Sequence, residues 1–314
     1  MKLNIVRNGT LLYVVIFLYG CSTIFKSDDK KTDPLEAIIY EVKIDSLVHT
    51  ISILSGEISS NGNNQERILS RHKNYNGNER AEQFLVNTLS GYELQVSVQE
   101  RGNTLGNVIA LQSGSINPDK IFVIGAHYDS KPDSTIAPGA DDNASGVAAV
   151  IEAARILSQY DTRYTIVYAL WDEEEVGLIG SQYHAEIAYE NQQQIQAVIN
   201  LDMIGWDSDN DHVTILHEDE NVGAVLMVRR AIELIEKWGM DLIPIVTQRR
   251  YASDHIVFRE YGIAAICISE DFIDDFNENW HTTNDRIENL NLEYYHENVK
   301  LSVALLASLA EVRK

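Results

Sequence analysis

Cysteine is nearly absent, with only Cys21 and Cys267 in 314 residues. Cys21 falls at the end of an amino-terminal leader, so Cys267 has no partner and an intrachain disulfide is excluded from the folded domain. The setting of Cys267, Ile263-Ala264-Ala265-Ile266-Cys267-Ile268, reads as a buried strand in which the thiol packs as a small, inert apolar group. Basic residues are scarce as well: 25 Lys and Arg stand against 47 Asp and Glu, for a net charge of -22. No Lys/Arg stripe forms. Nucleic acid and anionic membrane surfaces would both be repelled, and neither is expected as a partner. The surplus of acid mainly aids solubility and modestly favours cationic ligands. Internal repeats and low-complexity breaks are lacking, and 45% apolar content is enough for one large core, so the chain reads as one main domain.

The amino terminus reads as a removable leader. Lys2 and Arg7 precede an apolar run over residues 11–18 that is too short to span a bilayer and suits the core of a secretory signal. The run ends in Leu18-Tyr19-Gly20-Cys21, which resembles a bacterial lipoprotein signal, where the cysteine becomes the lipidated first residue of the mature protein. The expected organisation is a signal over residues 1–21, a polar flexible tether over 22–33, and the domain over 34–314. The expected location is outside the cytoplasm, at the cell envelope. There a lipid on Cys21 would anchor the chain to the periplasmic or outer-membrane face, the alternative being secretion.

Hydrophobic periodicity orders the rest. Spacings of three and four predict helices over 34–54, from about 78 to a stop at Gly91, over 147–157, 177–189, 222–238 and 292–312. Alternating or continuous apolar runs predict strands over 92–99, 107–112, 121–124, 164–170, 196–201, 212–216, 242–246 and 263–268. Residues 271–291 read as a long polar loop. Helices alternating with buried strands imply an open α/β sheet, whose binding crevice lies beyond the carboxyl ends of its parallel strands.

Chemistry gathers at those ends. The run Ile121-Phe122-Val123-Ile124 stops in His127 and Asp129, which share one face of the strand, so that the carboxylate can orient the imidazole. Gly139-Ala140-Asp141-Asp142-Asn143-Ala144-Ser145-Gly146 then places carboxylates just ahead of a helix that Ser145 can cap. The strand over 164–170 ends in Trp171-Asp172-Glu173-Glu174-Glu175, and that over 196–201 in Asp202. By itself, the acidic run could be a solvated turn and Asp141-Asp142 a helix cap. His49, His72, His184, His212, His217 and His296 stand outside any such pattern and read as solvated.

Five blocks in order, His127-Tyr128-Asp129-Ser130, Pro138 to Gly146, Glu174-Glu175-Val176-Gly177-Leu178, Asn200-Leu201-Asp202-Met203-Ile204-Gly205 and Trp280-His281-Thr282-Thr283-Asn284-Asp285, resemble the co-catalytic zinc aminopeptidases of the M28 type, from about residue 65 onward. The resemblance implies a three-layer α/β/α fold with a mostly parallel, mixed central sheet. It also implies two zinc ions per chain, one on His127, Asp142 and Asp202 and the other on Glu175, His281 and the shared Asp142. Asp141 competes for the shared position, and the family pattern favours the Asp that precedes Asn143. Asp129 would support His127. Glu174 would be the general base and Glu173 a bystander. Tyr251 matches a phenol placed to hydrogen-bond the tetrahedral oxyanion, with Asp254 and His255 in support. The implied activity is hydrolysis of the amino-terminal bond of peptides with a free amino terminus, and cobalt or manganese fits the same donors. Alternatives are glutaminyl cyclase, a single-zinc transferase matched by His127 to Lys131 and Trp280-His281, a dipeptidase or carboxypeptidase on the same scaffold, and a catalytically dead binding ectodomain.

Overall fold

The computed structural model describes residues 33–102, 106–248 and 252–313. Cys21, the leader and Tyr251 lie outside the described residues. Among those described, the chain runs α1 (Pro34–Tyr40), α2 (Ile44–Leu54), α3 (Asn76–Ser90), β1 (Gln95–Gln99), β2 (Asn107–Gln112), β3 (Asn117–His127), α4 (Gly146–Leu157), β4 (Asp161–Thr162), β5 (Tyr164–Trp171), α5 (Ile179–Glu190), β6 (Gln194–Leu201), β7 (Val213–His217), α6 (Val222–Trp238), β8 (Ile243–Thr247), α7 (His255–Glu260), β9 (Ala265–Ser269), α8 (Leu292–Leu309) and β10 (Val312–Arg313). Eight strands form one sheet in the order β1-β2-β5-β3-β6-β9-β7-β8, while β4 and β10 make a separate antiparallel pair. The neighbours β5, β3, β6 and β9 run parallel, as do β7 and β8, and the other pairs are antiparallel. The expected mixed, three-layer α/β/α fold is present.

Alternation along β5 shows how the layers arise. Ile166, Tyr168 and Leu170 join the larger core, which also takes in α1 to α4, α6 and α8, whereas Val167, Ala169 and Trp171 join a smaller core with α5 and α7. Gly125 on β3 lets the Trp171 ring lie against the neighbouring strand, since a Cβ there would fall 2.3 Å from the ring. The consequence for function is positional. Three adjacent parallel strands, β5, β3 and β6, end at one rim of the sheet.

Several sequence expectations need correction. Residues 34–54 form two helices. The break at Glu41-Val42-Lys43 is held by α4: the Lys43 amide donates to Glu152 (2.7 Å), and the Arg155 guanidinium donates to the Glu41 carbonyl (2.7 Å) and to Glu152. Tertiary partners here outweigh helical periodicity. Ser145 does not cap α4 with its side chain; its hydroxyl donates to the Asp141 carbonyl (2.6 Å). Short α7 is a helix that the periodicity does not predict.

Three histidines expected in solvent are buried. These are His72, His184 and His217, at 4–5% exposure. In the smaller core the Trp171 indole donates to Nδ1 of His184 (2.9 Å), beside the Phe258 ring. Burial holds the His184 imidazole down at about 4. The unfolded chain titrates near 6.5, so the native state binds fewer protons between the two values, and the stability due to neutral His184 is lost as pH falls from about 6.5 to about 4. Denaturant unfolding of the parent and of His184→Gln is expected to show it. The parent's advantage at pH 7.5 should shrink by up to about 3 kcal/mol at pH 4.5, since a tenfold difference in proton affinity is worth roughly 1.4 kcal/mol.

Candidate metal centre

The ends of the three central strands and two loops deliver the expected ligands to one place. His127 closes β3, Glu175 lies in the turn after β5, Asp202 follows β6, Asp142 precedes α4, and His281 sits in the long loop before α8. Nε2 of His127 is 3.3 Å from Oδ1 of Asp142 and 3.4 Å from Oδ1 of Asp202. Nε2 of His281 is 3.2 Å from Oδ2 of Asp142 and 3.0 Å from Oε2 of Glu175. The two oxygens of Asp142 therefore face two different groups, and within each group the donor atoms all lie within 4.8 Å of one another. A tetrahedral ion bound at about 2.0–2.1 Å has ligand edges of roughly 3.3–3.4 Å, so both sets fit a small divalent cation. The buried Oε1 of Glu175 has no hydrogen-bond partner, which leaves it available as a further donor. A third acidic group, Asp207, Asp209 and Asp211, has two exposed members and no imidazole.

Supporting contacts are specific. Both oxygens of Asp129 accept backbone N–H bonds, from Glu174 (3.1 Å) and Glu175 (3.1 Å), and Oδ1 also lies 3.3 Å from Nδ1 of His127. Asp129 thus fixes the glutamate turn as well as the imidazole. Asp141 is turned away from both groups, accepting from the Gly205 amide (2.9 Å) and from Asn277 (2.9 Å), which removes it from the shared position. Asn143 donates to the Leu201 carbonyl (2.9 Å), tying the Asp142 segment to β6. Glu173 points to Lys73, 3.8 Å away. Asp254 and His255 are buried behind the site, and Asp254 is pushed up to about 7, chiefly by burial.

Two residues the motifs did not single out hold this region. Asp285 accepts the backbone amides of Asp141 (2.9 Å) and Asp142 (3.0 Å), clamping the peptide that carries the shared carboxylate. Arg71, fully buried, donates to the carbonyls of Tyr128 (2.7 Å), Leu54 (2.6 Å), Pro138 (2.6 Å) and Gly139 (2.8 Å). Gly139 adopts φ +51°, and a Cβ there would crowd the Arg71 guanidinium and the Asp142 carbonyl. Asp285 ends the block that begins at Trp280, so sequence offered a hint. Arg71 offered none, because it binds only backbone.

Charge in the centre favours cations. Burial alone would lower the His281 imidazole, yet the carboxylates of Asp142 and Glu175 push it up to about 9. His127 is likewise lowered by burial but driven well above its usual value by Glu174, Asp129, Asp142 and Asp202. Burial would raise Asp142, and the two imidazoles hold it well below the carboxylate range. Glu174 is pushed up by burial, which its acidic neighbours reinforce and His127 opposes. A cleft of about 490 Å³ opens over both groups, and its walls include Glu174, Lys131, Leu178, Met203 and Trp280. The Trp280 ring stacks on His281 with centroids 3.8 Å apart, which sets the plane of the imidazole.

The pattern of Peptidase family M28 matches residues 107–306. The chain belongs to peptidase family M28. Leucine aminopeptidase 1 of Uncinocarpus reesii is 30% identical over 220 residues, which is 65% of this M28 chain and 54% of that protein. The chain matches between 22% and 55% of the length of eight curated relatives. The LapA aminopeptidase of Legionella pneumophila has a similar fold, with a TM-score of 0.77 and 24% identity over 88% of this chain and 74% of that one. The glutaminyl cyclase of Bacteroides thetaiotaomicron also shares the fold, with a TM-score of 0.67 and 20% identity over 84% and 97%. At these identities the structural likeness establishes architecture.

If Asp129 positions the ligands of this M28 centre, Asp129→Asn should weaken metal binding about 10- to 100-fold with the fold kept. Chelator competition beside circular dichroism checks this. Asp142→Asn should leave neither group able to retain metal in the same experiment.

Proposed function

We propose that this M28 chain is a zinc-dependent aminopeptidase that hydrolyses the amino-terminal bond of peptides. The observation that carries the proposal is the division of Asp142, with Oδ1 toward His127 and Asp202 and Oδ2 toward Glu175 and His281. One carboxylate facing two ligand sets suits two ions per chain, with His127, Asp142 and Asp202 holding one and Asp142, Glu175 and His281 the other. When bound, zinc supplies Lewis-acid polarisation of the scissile carbonyl and lowers the pKa of water. The protein's own residues do the rest.

Glu174 borders the cleft without belonging to either ligand set. Its carboxylate takes a proton from the attacking water and delivers it to the leaving amine. Asp129 holds the Glu174 and Glu175 amides together, so the base and the neighbouring ligand keep their relative positions. Acidic walls attract a free substrate ammonium, which accounts for a preference for unblocked amino termini. On the resemblance of its loop alone, Tyr251 is assigned the hydrogen bond to the oxyanion.

Glutaminyl cyclase action on one zinc is the second reading, favoured by the His127 to Lys131 and Trp280-His281 sequences. The second ligand group speaks against it. Dipeptidase or carboxypeptidase action on the same scaffold is a further variant. We also infer export with a lipid anchor on Cys21, supported by the short apolar run that ends at that cysteine; among the described residues no helix is long and apolar enough to cross a membrane.

Glu174→Gln is expected to lower kcat on aminoacyl anilides by roughly 10²- to 10⁴-fold while metal content stays at the parental value. Parental turnover in that variant would remove Glu174 from its role. A chelator should abolish activity and zinc restore it. Amino-terminally blocked peptides should resist hydrolysis, and about two zinc ions per chain by elemental analysis would separate the peptidase from the cyclase.

A further inference from the structure

Hydrolysis leaves one charge in the cleft unused. Among the described residues lining it, Lys131 is the only lysine or arginine, in a wall that also holds Asp142, Glu174, Glu175 and Asp202. Its backbone is anchored through Ser130, whose hydroxyl accepts the Arg71 amide (3.0 Å) and donates to the Ala137 carbonyl (2.9 Å). Lys131 Nζ lies 3.2 Å from Oε2 of Glu175, with the side chain 33% exposed. The same oxygen lies 3.0 Å from Nε2 of His281. An ammonium on a flexible four-carbon stem can exchange partners at low cost, because a partly exposed ion pair is weak. A cation held by Glu175 would satisfy that carboxylate and turn the lysine toward the cleft.

We propose that Lys131 is a specificity-determining residue that selects peptides bearing a carboxylate on the residue just beyond the scissile bond. The inference rests on the aminopeptidase reading. An extended chain advances about 3.3–3.6 Å per residue, so that carboxylate lies within roughly 7 Å of the substrate's amine. The two ends then meet opposite fields. The ammonium is drawn to the acidic walls, the carboxylate is repelled by them, and Lys131 offers the attraction that sets the direction of the peptide. Either the free α-carboxylate of a dipeptide or an Asp or Glu side chain at the second position supplies this chemistry.

Steady-state kinetics of the zinc-loaded chain on Leu-Ala, Leu-Ala amide, Leu-Asp amide and Leu-Asn amide test the proposal. At least one charged member should exceed its neutral counterpart in kcat/KM by about 10-fold, mainly through KM. Preference for Leu-Ala identifies the terminal carboxylate as the group bound, and preference for Leu-Asp amide identifies the side chain. Lys131→Met should bring the ratio near one by raising KM for the charged substrate, and Lys131→Arg should restore it, with metal content and thermal unfolding recorded for each variant. Equal kcat/KM on charged and neutral pairs by the parent would overturn the role of Lys131 while leaving the aminopeptidase reading intact, as would a preference that survives in Lys131→Met. Failure to cleave any of the four would overturn both.

Discussion

Burying like charge is expensive, and the structure is arranged around doing so. Asp129, Asp141, Asp142, Asp172, Glu175, Asp202, Asp254, Glu270 and Asp285 are all less than 9% exposed. A buried carboxylate without partners costs far more than any single packing contact returns. Backbone amides meet much of that demand: Asp129 takes two, Asp285 two, Asp141 one and Glu270 one. Asp142, Glu175 and Asp202 instead meet imidazoles, and Glu175 also one lysine. The amide-clamped carboxylates shape the backbone, while Asp142, Glu175 and Asp202 face the imidazoles.

Arg71 belongs to the same balance. Although burial lowers its guanidinium to about 10, Asp285, Asp129, Asp142 and Glu175 favour the charged form. It therefore stays a cation at neutral pH and ties three carbonyls of the segments that bear His127 and Asp142 to a fourth, that of Leu54 at the end of α2. One side chain both lowers the cost of the acidic cluster and fixes the main chain from which that cluster projects.

Much of this was legible in sequence because strand ends and ligands share one grammar. The apolar run before His127, the acidic turn after Trp171 and the Asp after Leu201 each mark a strand stopping in a donor, and parallel pairing makes those stops coincide. Residues that act through the backbone were not legible. Neither Arg71 nor the clamping role of Asp285 has a spacing that betrays it, since their partners are amides and carbonyls far away along the chain. The break after Tyr40 was hidden for the same reason, as only the fold brings Glu152 and Arg155 beside it. His184 misled in the other direction, because solvent exposure is a fair expectation for an isolated histidine until Trp171 supplies a partner.

Left-handed backbone recurs at the rim, as it does at Glu93, Gln192, Asn210, His212 and Glu311 elsewhere. Glu173, Leu178, Met203 and His281 all adopt φ between 51° and 59°, in the left-handed region. For residues with a Cβ that conformation costs about 1–2 kcal/mol each. For Glu173, Leu178 and Met203 the cost is carried where the chain reverses after β5 and β6, and for His281 in the loop before α8. Three of the four, Leu178, Met203 and His281, line the cleft. Glu173, the fourth, turns its carboxylate to Lys73 and away from the cleft, while Glu174 and Glu175 line it. Adjacent, chemically identical side chains thus acquire different tasks from the torsion of the main chain between them.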